Sequence, residues 1–302
     1  MRKNDLKFNF ICFTLSLLTS SLSSCSKSLD EPGVVQSEDI NGFRVEWRSQ
    51  IAKEQKTAAT QILENMIYVE GDYFMMGAMP EEAEMARRNE YPLVCRKLSG
   101  YYICKYEISD EQYFAITNKS KPGDAYNDTY RSFDDWNYFI IQLKDLTGIN
   151  FSFPTEAQWE FAAKGGKLTQ NYIYPGSNNL DEVHSSDYDQ GSYTPNELGI
   201  YNLADLKSEW CLDMYGDLED GGVLNNWLQT KGDYHVVKGG NFLCNITSDK
   251  YHTNTSATWT YHMNKGVADE LDYRLCRISA RSYGSNSSYN YIGCRLVINI
   301  GK

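Results

Sequence analysis

The clearest pattern of apolar and polar positions in this chain is a helical one. Large apolar side chains recur at i, i+3, i+4, i+7 and i+10, and they are Trp136, Phe139, Ile140, Leu143 and Leu146. This spacing places them on one face of an α-helix, and Gly148 is the residue type that ends helices. A second amphipathic helix is predicted over residues 49–65, with its apolar side at Ile51, Ala58, Ile62 and Met66. Both helices therefore have one face to bury against the rest of the chain.

Two shorter helices are predicted from their capping residues. Thr155 is followed by Gln158, and Ser109 by Gln112. In each case the two side chains satisfy two backbone donors at the start of a helix. The helix after Thr155 carries a tryptophan and small alanines, and it ends before a pair of glycines at 165–166. A helix this short is marginal alone, so it must pack closely on another part of the chain.

Extended segments alternate with these helices. Residues 66–77 contain two β-rich runs around Glu70-Gly71-Asp72, which predicts a hairpin. Residues 91–106 predict a further extended segment. The alternation lacks the regular strand–helix–strand rhythm of a parallel sheet. From residue 171 onward the chain is rich in Asn, Gly, Ser, Asp and Tyr, which is typical of long loops that are functional or stabilised by ions.

The first residues have the composition of an export signal. The chain starts with a basic stretch, residues 8–22 are mostly apolar, and small residues precede Cys25. This pattern is similar to the lipobox of a bacterial lipoprotein, which predicts a signal peptide over residues 1–24 and a lipid on the Cys25 thiol. The alternatives are an ordinary secretory signal and a short buried helix. The apolar run is shorter than the ~20 residues that a spanning helix needs.

The residues after this signal are predicted to form a tether followed by one folded domain. Acidic pairs at Asp30-Glu31 and Glu38-Asp39 lie in a polar stretch of low hydrophobicity. Residues 25–48 are therefore predicted to be a tether, and residues 49–302 the folded domain. The expected location is exported and held at a membrane by the lipid anchor, at the outer membrane or the cell surface.

The net charge of the chain argues against one class of partner. The formal net charge is −11, which argues against nucleic acid as a partner because phosphate backbones are also negative.

The cysteine content leaves the disulfide pairing open. An exported chain is able to form disulfides, and six cysteines follow Cys25. So many cysteines allow too many pairings for any connectivity to follow from the sequence. They are Cys95, Cys104, Cys211, Cys244, Cys276 and Cys294.

Six short blocks, in chain order, resemble the motifs of one family. They are Phe74-Met-Met-Gly77, Lys105-Tyr-Glu-Ile-Ser109, Phe153-Pro-Thr-Glu-Ala-Gln-Trp-Glu160, Asn196-Glu-Leu-Gly-Ile-Tyr-Asn-Leu203 with Glu209-Trp210, Lys238-Gly-Gly-Asn241 and Ile292-Gly-Cys-Arg-Leu296. Together they resemble the formylglycine-generating enzyme and sulfatase-modifying-factor family, whose fold is a variant of the C-type lectin fold. The resemblance implies an α+β domain with few regular strands and much ordered loop.

The resemblance also implies a chemistry at the cysteines. In oxidising members of the family, two cysteines hold Cu(I), which activates O2 to convert a substrate cysteine into formylglycine, and soft thiolates suit Cu(I). Cys244 matches the first of these positions, whereas Asp249 stands at the second. Cys276 is the remaining candidate partner. The alternative roles for Cys244 are a small buried residue and one half of a disulfide. The four histidines show no metal-binding spacing.

A calcium site is implied by the same resemblance. Members that bind calcium use a Gly-Asn-x-x-Glu-Trp segment, with oxygens from the Asn side chain, the backbone and the Glu. Here the aligned Gly-Asn pair is Asp205-Leu206, so the implied ligands that remain are Asp205 and Glu209. Calcium takes six or more oxygens, so the loss of the Asn weakens the expected site. The alternative role for Glu209 is core scaffolding.

The C-terminal third predicts a ligand-binding surface. Residues 251–264 and 283–291 are rich in Tyr, Asn and Ser, which give rigid aromatic contact and adaptable hydrogen bonding, as in antibody paratopes. The predicted contact residues are Trp259, Tyr261, Tyr283, Asn286, Tyr289 and Tyr291. Two functions follow: a catalytically degenerate module that binds a protein or glycan ligand, and a copper-dependent formylglycine-generating oxidase acting on cysteine in exported proteins. Solvated loops without a binding role are the third interpretation of these segments.

Overall fold

The helices lie where the hydrophobic and capping patterns predict them. A computed structural model describes residues 36–119, 130–184, 190–191, 193–219, 224–225, 228–241, 244 and 273–300. Within these ranges the α-helices are α1 (Lys53–Glu64), α2 (Asp110–Thr117), α3 (Phe133–Thr147) and α4 (Glu156–Ala163). None of the described helices has the length and apolar character needed to cross a membrane.

The predicted helix caps are confirmed. Thr155 Oγ1 accepts a hydrogen bond from Gln158 N at 3.1 Å, and Gln158 Oε1 accepts one from Thr155 N at 3.0 Å. Ser109 and Gln112 form the same reciprocal pair at the start of α2. The α3 helix ends at Gly148, whose φ of +73° is a left-handed value that costs glycine little.

The helical repeat of α3 faces the core as predicted. Its five repeating apolar side chains are all buried. Two of them, Trp136 and Phe139, pack on Tyr113 of α2, with ring centroids 5.2 and 5.8 Å apart. The α1 helix starts later than predicted, at Lys53, and its buried residues are Ala58, Ala59, Ile62 and Leu63.

Short strands form the sheets of the domain. The described strands are β1 (Gln36–Ile40), β2 (Phe43–Trp47), β3 (Met66–Val69), β4 (Tyr73–Met76), β5 (Val94–Lys97), β6 (Tyr101–Cys104), β7 (Phe151–Ser152), β8 (Ser208–Met214), β9 (Leu224–Asn225), β10 (His235–Lys238), β11 (Ser282–Gly284), β12 (Ile292–Gly293) and β13 (Val297–Asn299). Their sheet orders are β1-β2, β3-β6-β13-β7, β4-β5-β9 and β11-β10-β8-β12. Helices and short strands mix without a parallel repeat, so the fold is α+β.

The predicted hairpin over residues 66–77 is wrong in its pairing. Both strands exist, but β3 pairs with β6 and β4 pairs with β5. The turn between them passes against the backbone at residues 98–100, where a Cβ on Gly71 would lie 2.2 Å from the carbonyl oxygen of Leu98. Only glycine permits this approach. The turn therefore sends its two strands into different sheets.

Part of the predicted tether belongs to the folded domain. The strands β1 and β2 pair as an antiparallel hairpin in which Ile40, Val45 and Trp47 are buried. The indole nitrogen of Trp47 donates to Glu38 Oε2 at 2.9 Å. Because this hairpin is part of the folded domain, the tether boundary at residue 48 is corrected to lie before residue 36. The signal peptide over 1–24 and Cys25 lie outside the described residues.

Candidate functional site

The α4 helix, which carries the longest family motif, is buried along its whole length. Its two acidic residues form buried ion pairs with residues from far along the chain. Glu156 contacts Arg281 at 2.5 Å, and Glu160 contacts Lys238 at 3.0 Å. These contacts agree with the close packing expected of a helix this short, and they add a buried charge network that the sequence did not predict.

The charge on Glu160 is stabilised by its neighbours. Burial alone would raise the pKa of this carboxyl, but the ammonium groups of Lys238 and Lys164 outweigh that effect and lower the pKa. The backbone N–H of Gly77 adds a hydrogen bond at 2.8 Å. Glu160 therefore remains a carboxylate in the core and ties α4 to the turn after β4.

Asp213 in β8 shows the opposite behaviour. Its carboxyl is buried and accepts hydrogen bonds from Glu156 N at 2.7 Å and from Gln229 N at 3.1 Å. Burial, together with the negative charge of Glu156, raises the pKa of Asp213 from 3.8 to about 7. In the folded state this carboxyl therefore stays protonated up to a pH well above the ordinary pKa of an aspartate.

This shift predicts that stability falls as the pH rises. A raised folded-state pKa gives a stabilising contribution that is fully present below 3.8 and is lost as the pH rises through about 7. We expect the free energy of unfolding to fall more steeply in the wild type than in Asp213→Asn between about pH 5 and 8, by up to about 1.4 kcal/mol per pH unit. Urea unfolding of both chains across this range measures the two slopes. Parallel slopes would contradict the assignment.

The two candidate copper ligands lie in one small apolar cluster. Cys244 and Cys276 are buried there together with Tyr174, Val183, Ala204, Leu275 and Ala280. The Sγ of Cys276 packs against the backbone of Gly240, where an added Cβ would lie 2.4 Å from it. Cys244 N donates to the Asn241 carbonyl at 2.9 Å. Both cysteines therefore lie next to the turn at residues 239–241, whereas Asp249 is outside the described residues.

Glu209 faces charged and polar donors within the protein. Its carboxylate oxygens accept hydrogen bonds from Arg295, the shortest at 2.6 Å, and from Trp159 Nε1 at 2.7 Å. No group of three or more His, Cys, Asp or Glu side chains in the described part of the chain is arranged to hold a metal ion. The residues around Glu209 do not fit calcium, so no chemical step is assigned to this ion.

Asp205, the other implied calcium ligand, is also buried. Its Oδ1 accepts a hydrogen bond from Asn202 Nδ2 at 3.0 Å, and its Oδ2 has no hydrogen-bond partner among the described residues. Burial raises the pKa of Asp205 to about 6. A single unpaired carboxylate oxygen is far short of the six or more that calcium takes.

The structure separates the six predicted contact residues for a ligand. Trp259 and Tyr261 lie outside the described residues. Tyr289 and Tyr291 are only 2% and 4% exposed, because the Tyr289 backbone pairs with Arg131 and both rings pack in the largest core cluster. These two predictions are corrected: both side chains belong to the core and present no ring to a surface ligand.

Asn286 is exposed and contacts the start of α3. Its Nδ2 donates to the Asp134 carboxylate, and its Oδ1 accepts a hydrogen bond from Asp134 N at 3.2 Å. The residue therefore connects the loop after β11 to the first turn of the helix. A ligand that binds Asn286 must compete with this pair.

Tyr283 is partly exposed and lies beside two further tyrosines. Its ring centroid is 4.9 Å from that of Tyr215 and 5.1 Å from that of Tyr234. Tyr215 follows β8, Tyr234 precedes β10, and Tyr283 lies in β11. These three strands are neighbours in one sheet. We name the three residues the tyrosine triad.

Two neighbouring side chains fix the position of Tyr215 in the tyrosine triad. The Arg281 guanidinium lies 5.3 Å from the centroid of the Tyr215 ring, and Asn89 Nδ2 donates to Tyr215 Oη at 2.6 Å. Tyr234 is the most exposed member, at 39%. Sequence reasoning missed Tyr215 and Tyr234 because both lie outside the Tyr-, Asn- and Ser-rich segments, and only strand pairing brings them to Tyr283.

The fold and the site together define an α+β domain with buried interlocking ion pairs and a surface cluster of tyrosines. Residues 51–300 match the model of the Sulfatase-modifying factor enzyme 1-like domain. The chain belongs to this family. The expectation drawn from the six sequence blocks is thereby confirmed, together with the mixed α+β fold.

Similar proteins carry several different names. The chain is 33% identical over 233 residues to the chaperone protein LppX of Paenibacillus barcinonensis, covering 57% of this chain and 79% of that protein. It is 26% identical over 211 residues to the serine/threonine-protein kinase Pkn1 of Chlamydia trachomatis, covering 59% of this chain. The match spans only about a third of the kinase, 33% of its length.

A solved structure shares the fold. PvdO from Pseudomonas aeruginosa superimposes with a TM-score of 0.58 at 15% sequence identity, covering 78% of this chain and 94% of PvdO. At this identity, the likeness concerns the fold alone. It therefore agrees with the family assignment and carries no information about the ligand or the reaction.

Proposed function

We propose that this chain is an exported, lipid-anchored binding module that holds a protein or glycan ligand on its tyrosine triad and does not catalyse oxidation. The observation that carries the proposal is the triad itself, in which three adjacent strands bring three tyrosine rings together and Tyr234 is 39% exposed. The lipid on Cys25, predicted from the signal pattern, supplies the anchor to the membrane.

Tyrosine suits such a site for physical reasons. Its ring gives a large apolar contact area, and its hydroxyl remains able to hydrogen-bond at the rim. Few side-chain rotations are lost when it binds. Here Arg281 and Asn89 contact Tyr215 within the protein, so its ring is already positioned in the absence of a ligand. Preorganisation of this kind lowers the entropic cost of binding.

A copper-dependent oxidase is the second candidate function. One observation favours it: Cys244 and Cys276 lie in the same apolar cluster, next to the turn at 239–241. The residue at the second copper position argues against it, because Asp249 stands where the oxidising members carry a cysteine, and a hard carboxylate does not suit Cu(I). The proposal of a binding module is preferred on this ground.

A binding panel tests the proposal. The full chain is screened against arrayed glycans, peptides and surface proteins, and we expect Tyr234→Ala with Tyr283→Ala to weaken each detected interaction by about tenfold or more. The matched control is Tyr73→Ala, since Tyr73 is also an exposed strand tyrosine, in another sheet. If the Tyr234→Ala, Tyr283→Ala double variant and the Tyr73→Ala control bind with equal affinity, the tyrosine triad is not the binding site.

The same panel distinguishes the oxidase. It includes a cysteine-containing peptide supplied with Cu(I) and O2. Formylglycine production that is lost in Cys244→Ser would replace the binding proposal with the oxidase.

A further inference from the structure

Arg131, which lies two positions before α3, is a buried arginine with an incomplete set of partners. Its side chain is only 2% exposed. Its Nη1 donates to Asp110 Oδ1 at 2.6 Å, whereas its Nε and Nη2 have no hydrogen-bond partner among the described residues. A buried donor without an acceptor is costly, above all when the group is charged. The fold therefore leaves one edge of this guanidinium unsatisfied.

The two unpartnered nitrogens form the edge of the guanidinium that binds carboxylates. Their N–H bonds are nearly parallel and match the two oxygens of one carboxylate. Two other buried arginines of this protein use the same edge. Arg281 donates from Nε and Nη2 to the two oxygens of Glu156, and Arg295 donates from the same two nitrogens to Glu209. Arg131 presents this pair of donors without a carboxylate from the described part of the chain.

Aromatic rings contact this guanidinium without satisfying its edge. The Arg131 Cζ lies 4.0 Å from the centroid of the Tyr113 ring and 5.1 Å from that of the Trp136 ring. A cation is attracted by the face of a ring, but the N–H bonds lie in the guanidinium plane and still require acceptors. These contacts therefore hold Arg131 in place and leave its two donors available.

A third unpartnered donor belongs to one of these rings. Trp136 is fully buried, and its Nε1 has no acceptor among the described residues. An indole nitrogen donates a hydrogen bond and does not accept one. The contact between Arg131 and Trp136 thus contains three buried donors. The group that would satisfy them carries acceptor atoms.

The charge around Arg131 favours an anion over a neutral acceptor. Asp110 Oδ1 lies 2.6 Å from Arg131 Nη1 and 3.7 Å from Lys207 Nζ. Within the described residues, Asp110 is the one carboxylate that pairs with either cation at 4.0 Å or less. A single negative charge is therefore shared between two positive charges, and a second negative charge here would be attracted.

We propose that the Nε and Nη2 edge of Arg131 binds a small carboxylate ligand, with Trp136 Nε1 as an additional donor. The two oxygens of the ligand match the two N–H bonds, and its charge balances the second cation. The donor atoms are enclosed by the protein, so the ligand is a small molecule and not a polymer. No residue of the tyrosine triad takes part, so the inference does not depend on the proposed function.

Acetate is the probe for this site. The Tm of the full chain is measured in increasing sodium acetate and in sodium chloride of equal ionic strength, and calorimetry gives the Kd for acetate. We expect a Tm that is higher in acetate by about 3 °C or more once acetate is in tenfold excess over its Kd. Equal Tm values in the two salts would overturn the inference, because a water would then satisfy the guanidinium.

Variants locate the effect. Arg131→Lys keeps a positive charge beside Asp110 but removes the paired donors, so we expect it to lose the acetate-dependent rise in Tm. The matched control is Arg44→Lys, since Arg44 is exposed, and it should respond to acetate as the wild type does. A folded Arg131→Lys chain with the wild-type response would overturn the inference.

A second variant decides the inference if Arg131→Lys does not fold. Trp136→Phe keeps a large aromatic ring and removes the indole donor. We expect its Kd for acetate to be about threefold higher than that of the wild type, or more. An unchanged Kd would show that acetate binds elsewhere and would overturn the inference.

Discussion

Replacing Arg277 with methionine is expected to lower the free energy of unfolding by about 3–5 kcal/mol. Arg277 is fully buried, and its guanidinium contacts Glu82 at 2.8 Å and Glu90 at 2.7 Å. Burial lowers its pKa, but the two carboxylates outweigh this and raise the pKa. The variant leaves two buried carboxylates without their cation, which is the costly case. Urea unfolding of the wild type and the variant measures the loss.

Two comparisons isolate the cause of this loss. Arg44→Met removes an exposed arginine whose guanidinium bonds only to Ser37 among the described residues, so a change within about 0.5 kcal/mol is expected. Adding Glu82→Gln and Glu90→Gln to Arg277→Met removes the unpaired charges and should recover part of the stability. A loss from Arg277→Met as small as that from Arg44→Met would show that the buried network contributes nothing.

Replacing Lys238 with methionine is expected to cost a similar amount, about 3–5 kcal/mol. Its ammonium is fully buried between Glu160 at 3.0 Å and Glu156 at 4.0 Å. Without it, the partners that Glu160 keeps among the described residues are Lys164 and the Gly77 N–H. Thermal or urea unfolding measures the change.

An exposed lysine provides the matched control. Lys167 contacts Glu70 at 2.6 Å, but both side chains are largely in solvent, so Lys167→Met should cost less than about 1 kcal/mol. A difference of under 1 kcal/mol between the Lys167→Met and Lys238→Met losses would contradict the assigned role of the buried pair.

These buried ion pairs connect the proposed binding surface to the scaffold. Arg281 is held by both oxygens of Glu156, at 2.5 and 2.9 Å, and its guanidinium lies against the ring of Tyr215. The α4 helix thereby orients one member of the tyrosine triad through a single arginine. A helix identified first as a family mark thus also positions the proposed site, without contacting a ligand itself.

The limits of the sequence patterns are visible at particular residues. The segment Glu70-Gly71-Asp72 between two β-rich runs predicts a hairpin turn, because glycine and aspartate in this position indicate one. The structure uses Gly71 for a close backbone approach instead. Likewise, the acidic residues at 36–40 indicate a tether. The structure shows a strand there instead, because the segment pairs with β2 and buries the side chain of Ile40.

The binding residues show the same limit. Composition pointed to Tyr289 and Tyr291, and neither composition nor alternation reveals that both are buried. Tyr215 and Tyr283 are distant in sequence, and they meet only because β10 pairs with both β8 and β11. A contact of this kind depends on strand order, which no local pattern encodes.

The sequence by itself determined the helices, their caps and the family of this protein, because each depends on residues within one or two turns of each other or on short motifs read in order. Tertiary structure alone decided which strands pair, which tyrosines reach the surface, and which buried carboxylates pair with a cation. Each of these features depends on residues that lie far apart in the chain. Glu209 and Arg295, for example, form their ion pair only when folding brings both side chains together in the core.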